Sequence, residues 1–172
     1  MYHVAIVTSY PFPSFAATSN RIMAMAKTLS MKKNVMVSVV GPSSDSVSEK
    51  EKISNSTFNI YTLKTKRYKG KNLIIRGFSE LKDFINLKSI VLNNSPDLII
   101  ITIPSIFLLG ISFFVKGKVP IIFDIRDLVW EYFLKKESYL FKLIGKLFKV
   151  VSISILKKHR KSSSQIIKNM NY

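Results

Sequence analysis

The sequence predicts an α/β fold: an open parallel sheet with helices on both faces. Three observations predict it. Short apolar, β-branched runs recur at residues 3–8, 34–40, 57–63, 98–103 and 119–124. Helix-spaced stretches separate most of them, and the right-handed crossovers such an order requires make the sheet parallel. The chain is 172 residues long and 47% hydrophobic, enough for one domain with a sizeable core.

The first strand is His-Val-Ala-Ile-Val-Thr at 3–8, followed by the loop Ser9-Tyr-Pro-Phe-Pro-Ser-Phe-Ala-Ala-Thr-Ser19, with two prolines. Thr18 or Ser19 can cap a helix over 20–30, where Ile22, Met25, Ala26 and Leu29 recur at i, i+3, i+4, i+7. The second strand, 34–40, ends at Gly41-Pro42; a polar loop leads to a third at 57–63. A basic loop, Lys64–Lys71, precedes a helix over 73–94 that sets Phe78, Leu81, Ile85 and Leu92 on one side.

Residues 98–115 form an uncharged run of eighteen, the length at which a membrane span must be considered. Pro104-Ser105 divides it into a β-branched piece and a Leu/Phe/Gly piece, which reads as a buried strand followed by a helix. The last strand opens Val119-Pro-Ile-Ile-Phe-Asp-Ile-Arg-Asp-Leu-Val-Trp-Glu131. Its apolar run reads as a fully buried strand, stopping at Asp124, Arg126, Asp127 and Glu131, where open α/β sheets bind ligands. The plainer reading is a strand leading into a solvated helix start with Asp127 as its cap. On either reading the architecture is a Rossmann-like half whose loops after the first, fourth and fifth strands converge on one edge.

Composition narrows the chemistry. The chain has no cysteine, which excludes disulfides, thiolate zinc sites and a cysteine nucleophile. His3 and His159 are its only histidines, so a histidine-based metal site is not expected. The start lacks the basic head and long apolar middle of a signal peptide, so the expected location is the cytoplasm. The net charge of +17 points to nucleic acid, anionic lipid or phosphorylated substrates, although an AT-rich genome also inflates lysine.

Four pieces together resemble the N-terminal domain of GT-B glycosyltransferases of the family-4 type. They are Ile6-Val-Thr-Ser-Tyr-Pro-Phe-Pro13, Arg21, Pro96-Asp-Leu-Ile-Ile-Ile-Thr102 and Phe123-Asp-Ile-Arg-Asp-Leu-Val-Trp-Glu131. Each alone is weak; their order and spacing carry the match, which runs from residue 1 to about 165. Two positions depart from the family: Ala16-Ala17 stands where a Gly-Gly pair is common, and Arg126 where many members have His.

The resemblance implies transfer of a sugar from a nucleotide-sugar to an acceptor held mainly by this domain, commonly a lipid-linked glycan in capsule, O-antigen or exopolysaccharide synthesis. It implies no cofactor and no metal. It also implies that a second Rossmann-like domain binds the donor. The expected layout is therefore an acceptor-side domain over 1–161, a truncated tail over 162–172 that approaches a further strand, and an absent donor domain. Such a chain alone is expected to be inactive: a truncated product, an excised domain, or half of a split enzyme completed by a separate donor-binding chain.

Within that resemblance, Asp127 and Arg126 are the candidate catalytic residues. A carboxylate there can orient an acceptor hydroxyl or take its proton, and a guanidinium can hold a diphosphate. The structural alternative is an ion pair of Arg126 with Glu131 or Asp124 that organises the loop. Phe15, Ala16, Ala17, Arg21 and Glu131 are the candidate substrate-binding residues. Arg21 either approaches an acceptor phosphate or is an exposed helical arginine, and Phe12 and Phe15 either shape an acceptor mouth or anchor the loop. Trp130 reads as core in preference to a sugar-stacking platform.

Residues 132–161 form a second informative stretch, with a basic amphipathic helix over about 137–161. Lys135, Lys142, Lys146, Lys149, Lys157 and Arg160 fall in one narrow helical sector, opposite a wide apolar face of Phe141, Leu143, Ile144, Leu147, Phe148, Val150 and Val151. Residues 132–172 carry ten Lys/Arg against Glu137 alone, +9 of the net charge. Such a helix either anchors the protein peripherally on the anionic inner face of the membrane or packs its apolar face on the sheet with its lysines solvated. Nucleic acid is not the expected partner, because the chain shows no helix-turn-helix, zinc or RNA-recognition motif. The remaining alternative is a non-catalytic subunit that docks on membrane or acceptor, or an inactive fragment.

Overall fold

The computed structural model describes residues 1–12, 16–43, 58–63, 73–103, 106–115, 119–125 and 129–169. It is an α/β fold, Rossmann-like, built on a five-stranded, all-parallel sheet in the order β3-β2-β1-β4-β5. The strands are β1 (Tyr2–Thr8), β2 (Val35–Pro42), β3 (Phe58–Leu63), β4 (Leu98–Ile103) and β5 (Ile121–Ile125). The helices are α1 (Ala17–Ser30), α2 (Leu73–Asn93), α3 (Ile106–Leu109), α4 (Ile111–Phe114), α5 (Val129–Leu134) and α6 (Tyr139–Asn169). Among the described residues no helix is long and apolar enough to cross a membrane; the eighteen-residue uncharged run is β4 with two short helices.

Alternation along the strands sorts side chains into two cores. On one face Val4, Ile6, Val37, Val39, Ile60, Leu98 and Ile100 pack against Ile22 and Ala26 of α1. On the other, Val7, Val40, Ile99, Ile101 and Ile121 pack against Leu87 and Val91 of α2, Leu108 and Leu109 of α3, Ile111 of α4 and Ile155 of α6. The reversal of strand order between β3 and β4 sends α2 to the face opposite α1. At the amino-terminal edge, the His3 amide donates to Asp97 Oδ2 (2.7 Å) and the Asp97 amide to the His3 carbonyl (2.8 Å). The Pro-Asp pair before β4 therefore clips that strand to β1.

Four expectations are corrected. Helix α1 begins at Ala17 with Ala16 as its N-cap, so Thr18 and Ser19 lie inside its first turn and do not cap it. On α2 the expected apolar side is largely exposed at Phe78, Leu81 and Ile85, because Phe84, Leu87 and Val91 take the sheet-facing positions instead. Strand β5 is an edge strand, so it is only partly buried: Ile121 is covered, while Ile122 and Ile125 are exposed. The basic amphipathic helix expected over about 137–161 is α6, which begins at Tyr139, and the short α5 precedes it. Finally, α6 runs through Asn169, so residues 162–169 continue that helix instead of forming a separate tail.

Candidate functional site

The candidate site lies at the carboxyl edge of the sheet, on the α1 face. In register, Thr8 of β1 pairs with Thr102 of β4, and Thr102 with Asp124 of β5. Residues paired in a parallel register share a face, so this row continues the Ile6–Ile100–Ile122 row that faces α1. Thr8 and Thr102 are buried and build the edge. Thr8 Oγ1 accepts the Tyr10 amide (3.0 Å), and the Thr102 hydroxyl donates to the Val7 carbonyl (3.3 Å).

Asp124 ends the row, and Arg21 of α1 reaches over to it. Arg21 Nη2 lies 3.0 Å from Asp124 Oδ1, with the Arg21 side chain 60% exposed and that of Asp124 17%. The expected ion pairs of Asp124 or Glu131 with Arg126 involve a residue outside the described ones; the cation described on Asp124 is Arg21. Helical periodicity puts Arg21 one turn beyond Ala17 on the same side of α1. The first turn of α1 holds no acid and Ala16 provides no side-chain cap, so its amide donors and Arg21 form a basic corner beside Asp124.

The loop after β1 is pinned to that corner. The Phe12 amide donates to the Pro42 carbonyl (2.8 Å), and the Phe12 ring is fully buried among Ile6, Ile22 and Val39, so Phe12 is a loop anchor and not an acceptor mouth. Gly41 makes the approach possible, because a Cβ there would lie 2.6 Å from Thr8 Cγ2. Ala16 sits at φ −70°, ψ 146°, an ordinary extended conformation, so this position makes no demand for glycine.

Arg126, Asp127 and Phe15 lie outside the described residues. Glu131 is exposed in the first turn of α5, where a negative charge complements the helix dipole. Trp130 is buried, as expected of core. Lys135, Lys142, Lys146, Lys149 and Lys157 are all exposed; the side chain of Arg160 is outside the described set. Among the described residues no group of three or more His, Cys, Asp or Glu is placed to hold a metal ion.

Sequence reasoning missed the Arg21–Asp124 pair. The signal was present in the pleat: Asp124 shares parity with Ile122, and Arg21 follows the first turn of the helix that covers that face. Compared with protein-family models and with curated proteins, the chain matches none.

Proposed function

We propose that this chain is the acceptor-side domain of a GT-B glycosyltransferase of the family-4 type, acting on a glycan acceptor carried by a phosphorylated lipid. The observation that carries the reading is the Arg21–Asp124 pair at the carboxyl edge, where the order of an open parallel sheet directs ligands. Carboxylate-held, a guanidinium is oriented with much of its donor fork toward solvent, suited to an acceptor phosphate. The α1 amino terminus adds amide donors to the same corner. In this reading Asp127 orients or deprotonates the acceptor hydroxyl, Arg126 assists at the phosphate, and Phe15, Ala16, Ala17 and Glu131 border the acceptor. The nucleotide-sugar is bound by a second Rossmann-like unit, on the same polypeptide or a separate one.

Genetic complementation tests it. Disrupting the gene in its source cell should shorten or abolish a surface polysaccharide; the wild-type gene should restore it and Asp127→Asn should not. Full restoration by Asp127→Asn would move the assignment to a non-catalytic acceptor-binding subunit.

A further inference from the structure

The apolar face expected on α6 divides in the fold. Phe141, Ile144 and Phe148 turn inward, and Phe133 of α5 meets Phe141 (centroids 6.2 Å apart) and Phe148 (5.7 Å). Gly145 is buried, so close to α5 that a Cβ would lie 3.0 Å from Phe133 Cβ and 3.1 Å from Leu134 Cγ. The other half of the apolar face is left to solvent: Leu140, Leu143, Leu147, Val150 and Val151 are all exposed, Leu143 by 53% and Leu147 by 61%. Beside this stripe runs a second one of exposed lysines, Lys142, Lys146 and Lys149.

We propose that this double stripe on α6 is a docking surface for an anionic lipid bilayer, with Leu140, Leu143, Leu147 and Val150 entering the acyl boundary and Lys142, Lys146 and Lys149 meeting the headgroups. The inference stands on α6 and does not depend on sugar transfer. Charge selects the occupant. The leucines and valine recur at intervals of three and four, which also suits a helix–helix seam. A second copy of α6, however, would set lysine against lysine, since Glu137 is the only acid from 132 to 172. A bilayer rich in acidic headgroups complements both stripes at once. The helix lies on such a surface and does not cross it.

Co-flotation of the full chain with vesicles tests this. The wild type should float with phosphatidylglycerol-containing vesicles, much less with pure phosphatidylcholine, and added salt should weaken the association. Lys142→Gln, Lys146→Gln and Lys149→Gln together should lower partitioning roughly a hundredfold. Leu143→Ser with Leu147→Ser should lower it about tenfold or more, with the circular dichroism unchanged because both sites are exposed. Phe78→Ser, on the equally exposed α2, should leave partitioning intact. Any of four results overturns the proposal: no flotation of the wild type, equal flotation with both vesicle types, retention by the leucine variant, or an equal loss from Phe78→Ser. So does light scattering that shows a dimer abolished by the leucine substitutions together with no vesicle binding.

Discussion

Arg21 and Asp124, 103 residues apart in the chain, meet at 3.0 Å and tie the first helix to the last strand. The pair spans the sheet's carboxyl edge, the edge proposed for acceptor binding. Because the arginine is largely exposed and the carboxylate mostly covered, its worth lies near the top of the range for surface pairs, about 1 kcal/mol. A double-mutant cycle with Arg21→Ala and Asp124→Ala, read by urea unfolding, should give a coupling energy near that value. Strictly additive single mutants would mean the pair contributes nothing.

Two helical glycines predict opposite outcomes. At Gly77 in α2 a Cβ meets nothing within 4 Å, so Gly77→Ala should raise stability by up to about 1 kcal/mol through helix propensity alone. Gly145 faces the Leu134 backbone nitrogen at 3.1 Å from a built Cβ, and backbone cannot swing aside. Gly145→Leu should therefore lower the melting temperature and detach α5 from α6, visible as altered near-ultraviolet circular dichroism of the Phe133 and Trp130 surroundings.

His3 is a buried polar joint. Its Nδ1 lies 3.1 Å from the Asn94 carbonyl and its Nε2 2.7 Å from Ser38 Oγ. Since a carbonyl only accepts, Nδ1 carries a proton toward Asn94, while Nε2 shares its hydrogen bond with the Ser38 hydroxyl. His3→Leu strands that hydroxyl in the core and should cost about 1–3 kcal/mol. Adding Ser38→Ala should recover part of the loss, a recovery that chemical denaturation can measure.

Tyr2 adds a pH dependence at the alkaline end. Burial, with the charge of Asp97 assisting, raises its phenol above the ordinary value of 10.0. The folded state thus holds this proton more tightly than the unfolded chain. The associated stability is complete below the ordinary value and is lost as pH climbs through the raised one. Thermal melts from neutral pH to beyond 10 should show a decline that Tyr2→Phe makes shallower. The effect is small because Tyr2 is only partly covered.

The strands were legible because each is a short β-branched run, and the five pair in one parallel sheet, although β2 carries on through Gly41 and Pro42. The helix faces were less so. On α2 and α6 apolar residues occupy more than the buried side, so periodicity alone could not choose Leu87 and Val91 over Phe78 and Ile85, or Phe148 over Leu147. Strand β5 was read as buried because its apolar run says nothing about its place at the sheet edge. Asp124 was noticed, but its partner was sought next door at Arg126; an ion pair spanning the chain follows from topology, not from spacing.

The most direct measurement is chemical-shift mapping of the isotope-labelled chain titrated with a short prenyl diphosphate carrying one N-acetylhexosamine, a soluble mimic of a lipid-linked acceptor. Perturbations should concentrate at Thr8 to Phe12, Ala16 to Arg21, Thr102 and Asp124 to Glu131, and Arg21→Ala should bind more weakly. Perturbations confined to α6, or none at the carboxyl edge, would contradict the proposed acceptor binding there.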